Sequence, residues 1–308
     1  AVPERDDAWY EAKKADMKPW QLHQEYPTTP EEAFIKSGAM VFDSEVLDYV
    51  RDKDVRPWQR RGTLEYKHGE FRIVADDIRG GLKIWEEPVR DAVYAVGADV
   101  AEGLAHGDYS TAAVVRIIRN DDGSVDWRIV ATYRSHIEPD LFGTALEAMG
   151  RWYNGALIGV EANNHGLSTN TVLRNAKYPK QYREKKLDHR KKVKTERFGW
   201  WTDKKSKAVL VDDLRTALRS GMEMPDRATL DELYTYVYDG RGGMNGSPHD
   251  DTVIALGIAV QMAPLVFHKD YVVEEDDYMT PDWWMRQGKE DWDPWGSEVN
   301  EFVIGSQR

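Results

Sequence analysis

YAVGADVAEGLAHGDYSTAAVVRII, residues 94–118, is the stretch on which the fold turns. Residues 94–100 and 109–118 are apolar and β-prone, and a Gly-rich turn lies between them, so the segment reads as two paired strands. The first strand ends on an acid, Asp99. An unpaired carboxylate at the end of a buried strand is costly in low dielectric, so this position calls for a metal ion, an arginine or a hydrogen-bond network. Two later stretches repeat the pattern. In ALIGVE, Glu161 ends another apolar run. In SPHDD, Asp250 and Asp251 open an apolar helix, where the N-terminal dipole steadies an ionised carboxylate. Taken singly, Asp99 reads as a turn or cap residue, Glu161 as a solvated strand end, and Asp250-Asp251 as an N-cap and its neighbour. Taken together, three carboxylate positions at the tips of buried elements are what a two-metal phosphodiester-cleaving site needs. Hard divalent ions favour such oxygens, and the chain has no cysteine to compete.

Outward from this stretch, the pattern gives strands over 94–100, 109–118, 126–135, 156–161 and 179–183, with helices over 138–153 and 165–176. Asn120-Asp121-Asp122-Gly123 is the hairpin turn between the second and third strands. Leu141, Ala145, Ala148 and Trp152 line one face of the first helix, and Asn163 and Asn164 are candidates to cap the second. Helices follow over Lys205–Ser220 and Leu230–Tyr236. The last core helix, Asp250–Met262, is apolar on nearly all sides and therefore buried. Before residue 90, a short helix is expected over Asp7–Ala15. Thr29–Glu32, TPEE, starts another helix with a capping box, and a further helix follows Asp43–Ser44. A hairpin or three-strand meander spans Gly62–Trp85, with a turn at Lys67-His68-Gly69. Three antiparallel strands followed by alternating helices and strands make an α/β arrangement with a mixed sheet. The expected division is a linker and small N-terminal subdomain over 1–90, a main domain over 91–265, and an acidic, Trp-rich tail over 266–308.

The chain has 308 residues and a net charge of −12, which argues against a protein that coats nucleic acid with its whole surface but not against a local basic groove. It contains no apolar run long enough to span a bilayer, no signal peptide and no G-x-x-x-x-G-K-[ST] phosphate loop. It begins with Ala, so it reads as part of a longer protein. Against the acidic background, REKKLDHRKKVKTER over 183–197 is a local reversal, with eight Lys/Arg to three Asp/Glu. Arg183, Lys185, Lys186, Arg190, Lys191, Lys192, Lys194 and Arg197 are candidate phosphate contacts; a solvated loop is the plain alternative. Trp283, Trp284, Trp292 and Trp295 lie among the acids of the tail, where they either pack back or dock a protein partner.

GADVAEGLAHGDYS, GVEANNHG and SPHDDTVIALGIA resemble the three acidic motifs of the nuclease domain of tailed-phage large terminase subunits. EYPTTPEEAFIKSGAMVFD resembles the segment that links the ATPase domain to that nuclease, and Gly199-Trp200, Thr202 and SKAVLVDDL match it further on. The resemblance spans most of residues 20–263. It implies a ribonuclease H-like fold, with Asp99, Glu161 and Asp250/Asp251 converging on two Mg²⁺ or Mn²⁺ ions. Asp99 would bridge both ions, Glu161 would hold one, and Asp251 with Asp250 the other. Asp250 and Asp251 point about 100° apart on a helix, and Asp251 is the favoured direct ligand. Asp108, in the turn GDYS, is a further candidate ligand or a plain turn residue. Glu102 and His106 read as turn residues, and His165 and His249 as either water- or phosphate-positioning groups or capping residues. The implied activity is endonucleolytic cutting of concatemeric double-stranded viral DNA at the start and end of packaging. The implied partners are an ATPase domain outside this chain, a small terminase subunit and a portal protein. The implied place is the cytoplasm of the infected bacterial host and, transiently, the procapsid portal. A junction resolvase or transposase-like nuclease of the same fold, or a non-catalytic docking module, is the alternative reading.

Overall fold

The computed structural model describes residues 40–267, apart from 68–69, 76–79, 105, 164, 189–192, 240–242 and 247–248, together with Trp9 and Lys13; the side chains of 64–79 and 185–195 are outside it as well. Apart from Trp9 and Lys13, which are helical, the expected helix over Asp7–Ala15 lies outside the described residues, as do the one from Thr29, the His68-Gly69 turn, Asn164 and the tail beyond Phe267.

Helix α1 (Ser44–Lys53) starts where Asp43 accepts from the Glu45 amide, as its position before an amphipathic run predicts. Strands β1 (Arg60–Lys67), β2 (Glu70–Ala75) and β3 (Leu82–Ile84) follow. β1 lies between the other two and pairs with both, so they do not form a simple meander. β3 pairs in turn with a later strand, β6 (Val125–Ser135). The expected division at residue 90 therefore falls inside one continuous sheet.

The strands on either side of the Gly-rich turn pair as their alternation predicts. β4 (Val93–Asp99) and β5 (Ser110–Arg119) are antiparallel, with Asp99 opposite Thr111. β5 turns into β6 through residues 120–124, where the Gly123 amide donates to the Asn120 carbonyl. Helix α2 (Pro139–Trp152) then carries the chain across to β7 (Leu157–Val160), which runs parallel to β4 on its free side. The seven strands lie in the order β2-β1-β3-β6-β5-β4-β7. Helix α3 (Gly166–Asn175) follows β7, and a hairpin of β8 (Arg183–Asp188) and β9 (Val193–Phe198) follows α3. Helices α4 (Lys204–Arg219), α5 (Arg227–Tyr234) and α6 (Asp251–Met262) complete the fold, with a short ribbon of β10 (Val237–Tyr238) and β11 (Met244–Asn245) before α6 and a 3₁₀ turn over Ala263–Phe267 after it.

Strand periodicity of two divides the core. Ala95, Ala113, Val115, Ile117 and Leu157 face α1, α4, α5 and α6, whereas Tyr94, Val96, Ala112, Val114, Ile158 and Val160 face α2 and α3. The result is a three-layer α/β sandwich with a mixed sheet in the middle. α6 is buried along almost its whole length, as its uniform apolarity predicts. α2 departs from expectation by one position: Leu141 is 41% exposed, and Phe142, Ala145, Leu146 and Met149 are buried. The series 142, 145, 146, 149 has the same helical spacing and sends the larger phenylalanine inward.

No strand forms over 179–183. Gln181 makes only an isolated bridge to Ile158, and the chain leaves as the β8–β9 hairpin. It returns at Gly199–Trp200, where the Trp200 amide donates to Val160 O at 2.7 Å and the Ala162 amide to Trp200 O at 2.7 Å. Two short segments thus share the edge of β7. Gly199 makes the return possible: its φ is +88°, and a Cβ there would meet Asn170 Nδ2 at 2.6 Å.

α6 crosses β4 with no room to spare. A Cβ on Gly97 would meet Ala255 O at 2.1 Å and Ala259 N at 2.2 Å, both backbone atoms that cannot swing aside. Gly97→Ala should therefore cost about 1–3 kcal/mol in urea unfolding, as overpacking of a tight core does. A variant with the wild-type midpoint would contradict this close approach.

Candidate metal centre

The parallel pair β4 and β7 brings two acids to one end of the sheet. The Glu161 amide donates to Ala98 O at 2.8 Å, which sets the ends of the strands level. Asp99 lies on the face of Ala95 and Gly97, and Glu161 on the face of Leu157, so both project on the side covered by α6. Their carboxyl groups are in hydrogen-bonding contact. Two acids in contact share a proton or a cation, because like charges so close cannot both stay ionised unaided. Desolvation, first, and the Glu161 carboxylate, second, push Asp99 well above the usual carboxylate range; Asp251 and Asp250 add to the effect.

α6 supplies the third position. Asp251, Ala255 and Ala259 lie on one helix face at intervals of four, and the last two rest on Gly97. Asp251 therefore faces the sheet beside Asp99. It is buried, and its Oδ2 accepts from the Tyr109 amide at 3.2 Å. Its own carbonyl accepts from Thr111 Oγ1 at 2.8 Å, opposite Asp99 on β5. Burial raises the Asp251 carboxyl to about 6, with Glu232 and Asp108 adding and the Tyr109 amide opposing.

Asp250 occupies the N-cap position, but its side chain makes no cap bond. It turns instead to α4, where Lys207 Nζ lies 3.2 Å from its Oδ2. The start of α6 is satisfied from outside: the buried Glu232 of α5 accepts from the Thr252 amide at 2.9 Å and pairs with Arg134 at 3.2 Å. Asn163, a candidate cap for α3, donates to Thr202 O at 2.8 Å and lies 3.5 Å from Glu161 Oε1; α3 has no side-chain cap. It ties the strand end to the segment returning from the hairpin.

Asp108 is exposed, and its Oδ1 lies 3.3 Å from His249 Nδ1, which is 4.0 Å from Asp251 Oδ2. Sequence alone leaves the role of His249 open and gives Lys207, inside SKAVLVDDL, no distinct role. Adjacency of His249 to the Asp pair is the available signal. His165 pairs with Glu102 at 3.2 Å, joining the head of α3 to the loop after β4. Of the eight basic residues on the hairpin, only Arg183 and Arg197 have described side chains. They make cross-hairpin pairs at 3.4 Å with Glu196 and Glu184, and Arg197 stacks on Trp201 at 4.2 Å. Arg190, Lys191 and Lys192 are outside the described backbone, and Lys185, Lys186 and Lys194 are described in backbone only.

Residues 96–263 match the family of the terminase RNaseH-like domain. Among solved structures, the large terminase nuclease from thermophilic phage G20c is 19% identical over 72% of this chain and 98% of its own, with a TM-score of 0.47. Structures of that nuclease are known with bound magnesium, cobalt and zinc. The large terminase nuclease domain of Thermus phage P74-26 is 18% identical over 74% of this chain and 99% of its own, with a TM-score of 0.45. No curated protein matches the chain.

Two raised acids give a pH signature. The folded chain holds protons on Asp99 and Asp251 that the unfolded chain releases, so each contributes a loss of stability as pH rises. For Asp251 the loss runs from 3.8, its unfolded value, to about 6; for Asp99 it starts at 3.8 and extends upward. In chelator, Asp99→Asn should therefore gain stability relative to wild type as pH is raised from about 4 to 7. Melting curves that fall in parallel for the two proteins would contradict the raised state of Asp99.

Proposed function

The chain belongs to the terminase RNaseH-like domain family, and from that membership we propose that it is a divalent-metal-dependent endonuclease that cuts concatemeric double-stranded DNA in a viral packaging motor. What supports the reading most is the meeting of β4, β7 and α6, which sets Asp99 beside Glu161 with Asp251 and Asp250 within electrostatic reach. These donors fit Mg²⁺ or Mn²⁺: all are carboxylate oxygens on rigid elements, and the contact between Asp99 and Glu161 is one that a hard cation relieves. When bound, two such ions supply an activated water and neutralise charge on the attacking and leaving oxygens of an in-line displacement. Cleavage adds water across a P–O3′ bond and leaves a 5′-phosphate and a 3′-hydroxyl.

The chain's own residues do the rest. In this reading Asp99 would be the donor shared by both ions, Glu161 would hold one, and Asp251 with Asp250 would hold the other. Glu232, Thr111 and the Tyr109 amide keep Asp251 in place. The hairpin of β8 and β9 springs from the edge of β7, the strand that leads to Glu161, which supports a phosphate-contacting role for its basic residues. They track the phosphate backbone, which carries no sequence information. The ATPase domain, small terminase subunit and portal protein are the partners of this reading, in the cytoplasm of the infected host and at the procapsid portal.

Asp99→Asn should reduce cleavage of plasmid DNA to background while leaving the circular dichroism spectrum unchanged, and a chelator should do the same to wild type. Cleavage by the variant, or cleavage in excess chelator, would sink the mechanism.

Replacing Lys191, Lys192 and Lys194 together by Glu should weaken binding to all DNA sequences alike. The slope of log affinity against log salt should flatten by about 0.9 for each phosphate that is no longer neutralised. Wild-type affinity and slope would mean that the hairpin is merely solvated.

A further inference from the structure

The end of the sheet away from the carboxylates carries a cavity of its own. Asp99 lies opposite Thr111 on β5, whereas Val93 lies opposite Ile117, and Arg119 lies opposite Val125 on β6. The start of β6 is therefore at the far end. There β6, α4 and the last turn of α6 line a cavity of about 340 Å³. That is at the lower end of the range for pockets that take a ligand, about 300–1,000 Å³. Trp127, Ala217, Met222, Val260 and Pro264 supply its apolar wall. The ionisable groups among its lining residues are two carboxylates, Asp126 from β6 and Asp213 from α4.

Neither carboxylate is in an ion pair among the described residues. Asp126 Oδ2 accepts from Asn120 Nδ2 at 2.9 Å and Asp213 Oδ2 from Gln261 Nε2 at 2.7 Å, both neutral amides. The indole N–H of Trp127 is buried and has no acceptor among the described residues. A buried donor left unpaired is costly. A neighbouring hollow of about 360 Å³ shares Asp126 and Trp127 but holds its own counter-ions. In it Arg56 and Arg128 both pair with Glu223, at 2.5 and 2.6 Å. The unmet charge and the unmet hydrogen bond therefore belong to the first cavity.

We propose that this cavity docks a protein partner through one arginine side chain, its stem against the apolar wall and its guanidinium between Asp126 and Asp213. Two carboxylates over an apolar wall fit a group that is cationic at its tip and apolar along its stem, and they repel phosphate. Arginine fits better than lysine. Its planar fork reaches two carboxylates at once, it stacks on an indole face, and it is the more weakly hydrated cation. Arginine is also among the commonest anchors of protein interfaces. A main-chain carbonyl beside it supplies the acceptor that the Trp127 N–H lacks, after a small turn of the ring. α6 holds Asp251 at its head and Val260 in its last turn, about 14 Å apart along the axis. A partner held at the cavity thus leaves the carboxylate end of the sheet open. Docking of this kind does not depend on the nuclease reading.

Indole resonances report on the cavity directly. The full chain, labelled with nitrogen-15 at its tryptophans and kept in chelator, would be titrated with the capped peptide acetyl-Ala-Arg-Ala-amide. The same peptide with citrulline, lysine or glutamate in place of arginine would be run beside it, and Trp127→Phe identifies the Trp127 resonance. The arginine peptide should shift that resonance to saturation. Citrulline keeps the shape of arginine and loses its charge, so its peptide should bind about tenfold more weakly, as should the arginine peptide to Asp213→Asn. The lysine peptide should fall between, and the glutamate peptide should not bind. Ser220→Phe, at an exposed position on the cavity rim, should block entry and remove the shift with the fold unchanged. No saturable shift with the arginine peptide, or equal affinity for arginine and citrulline, would overturn the charged anchor. Equal affinity for lysine would overturn arginine as the occupant. Wild-type affinity in Asp213→Asn or Ser220→Phe would place the peptide elsewhere and overturn the site. A DNA duplex that shifted the Trp127 resonance where the peptide did not would assign this face to nucleic acid and overturn the proposal too.

Discussion

Repulsion among carboxylates at the end of the parallel strand pair is the constraint to which the rest of the structure answers. Asp99 and Glu161 are in contact, Asp251 is buried beside them, and Asp250 is within electrostatic reach. Such a cluster is unstable without rigid support. The support is the packing of α6 onto Gly97, which fixes the head of the helix against the strand end. It is completed by Glu232, which satisfies the first turn of α6 in place of the helix's own N-cap acid, and by Thr111, which anchors the Asp251 backbone.

The two acids at the head of α6 are divided by helix geometry. One residue along a helix is about 100° of rotation. Asp251 therefore faces the sheet, while Asp250 faces α4 and meets Lys207. The charge reversal of the chain lies on the hairpin of β8 and β9, both ends of which hydrogen-bond to the edge of β7 or to its extension past Glu161.

Elements with strong local signals were legible in the sequence. The strands around Asp99, the turn over Asn120–Gly123 and the apolar helix from Asp251 all formed where alternation, turn residues and uniform apolarity placed them. Where two patterns compete locally, tertiary packing decided. Phe142 displaced Leu141 from the buried face of α2. The stretch 179–183 yielded a bridge instead of a strand, since the return at Gly199 takes part of the β7 edge. At the candidate site, the sequence marked the acids but not what each one meets. Nothing local in SPHDD or SKAVLVDDL says that His249 reaches Asp108 or that Lys207 reaches Asp250, because both contacts join segments far apart in the chain. Asn163 likewise looked like a helix cap and bonds across to Thr202.

That the Asp99–Glu161 end of the sheet takes a divalent ion is tested most directly by an anomalous difference map from a crystal of this chain soaked in Mn²⁺. The account predicts a peak bounded by the carboxylates of Asp99 and Glu161, with a second ion toward Asp251. A map in which those carboxylates stay in mutual contact while manganese binds elsewhere would contradict it.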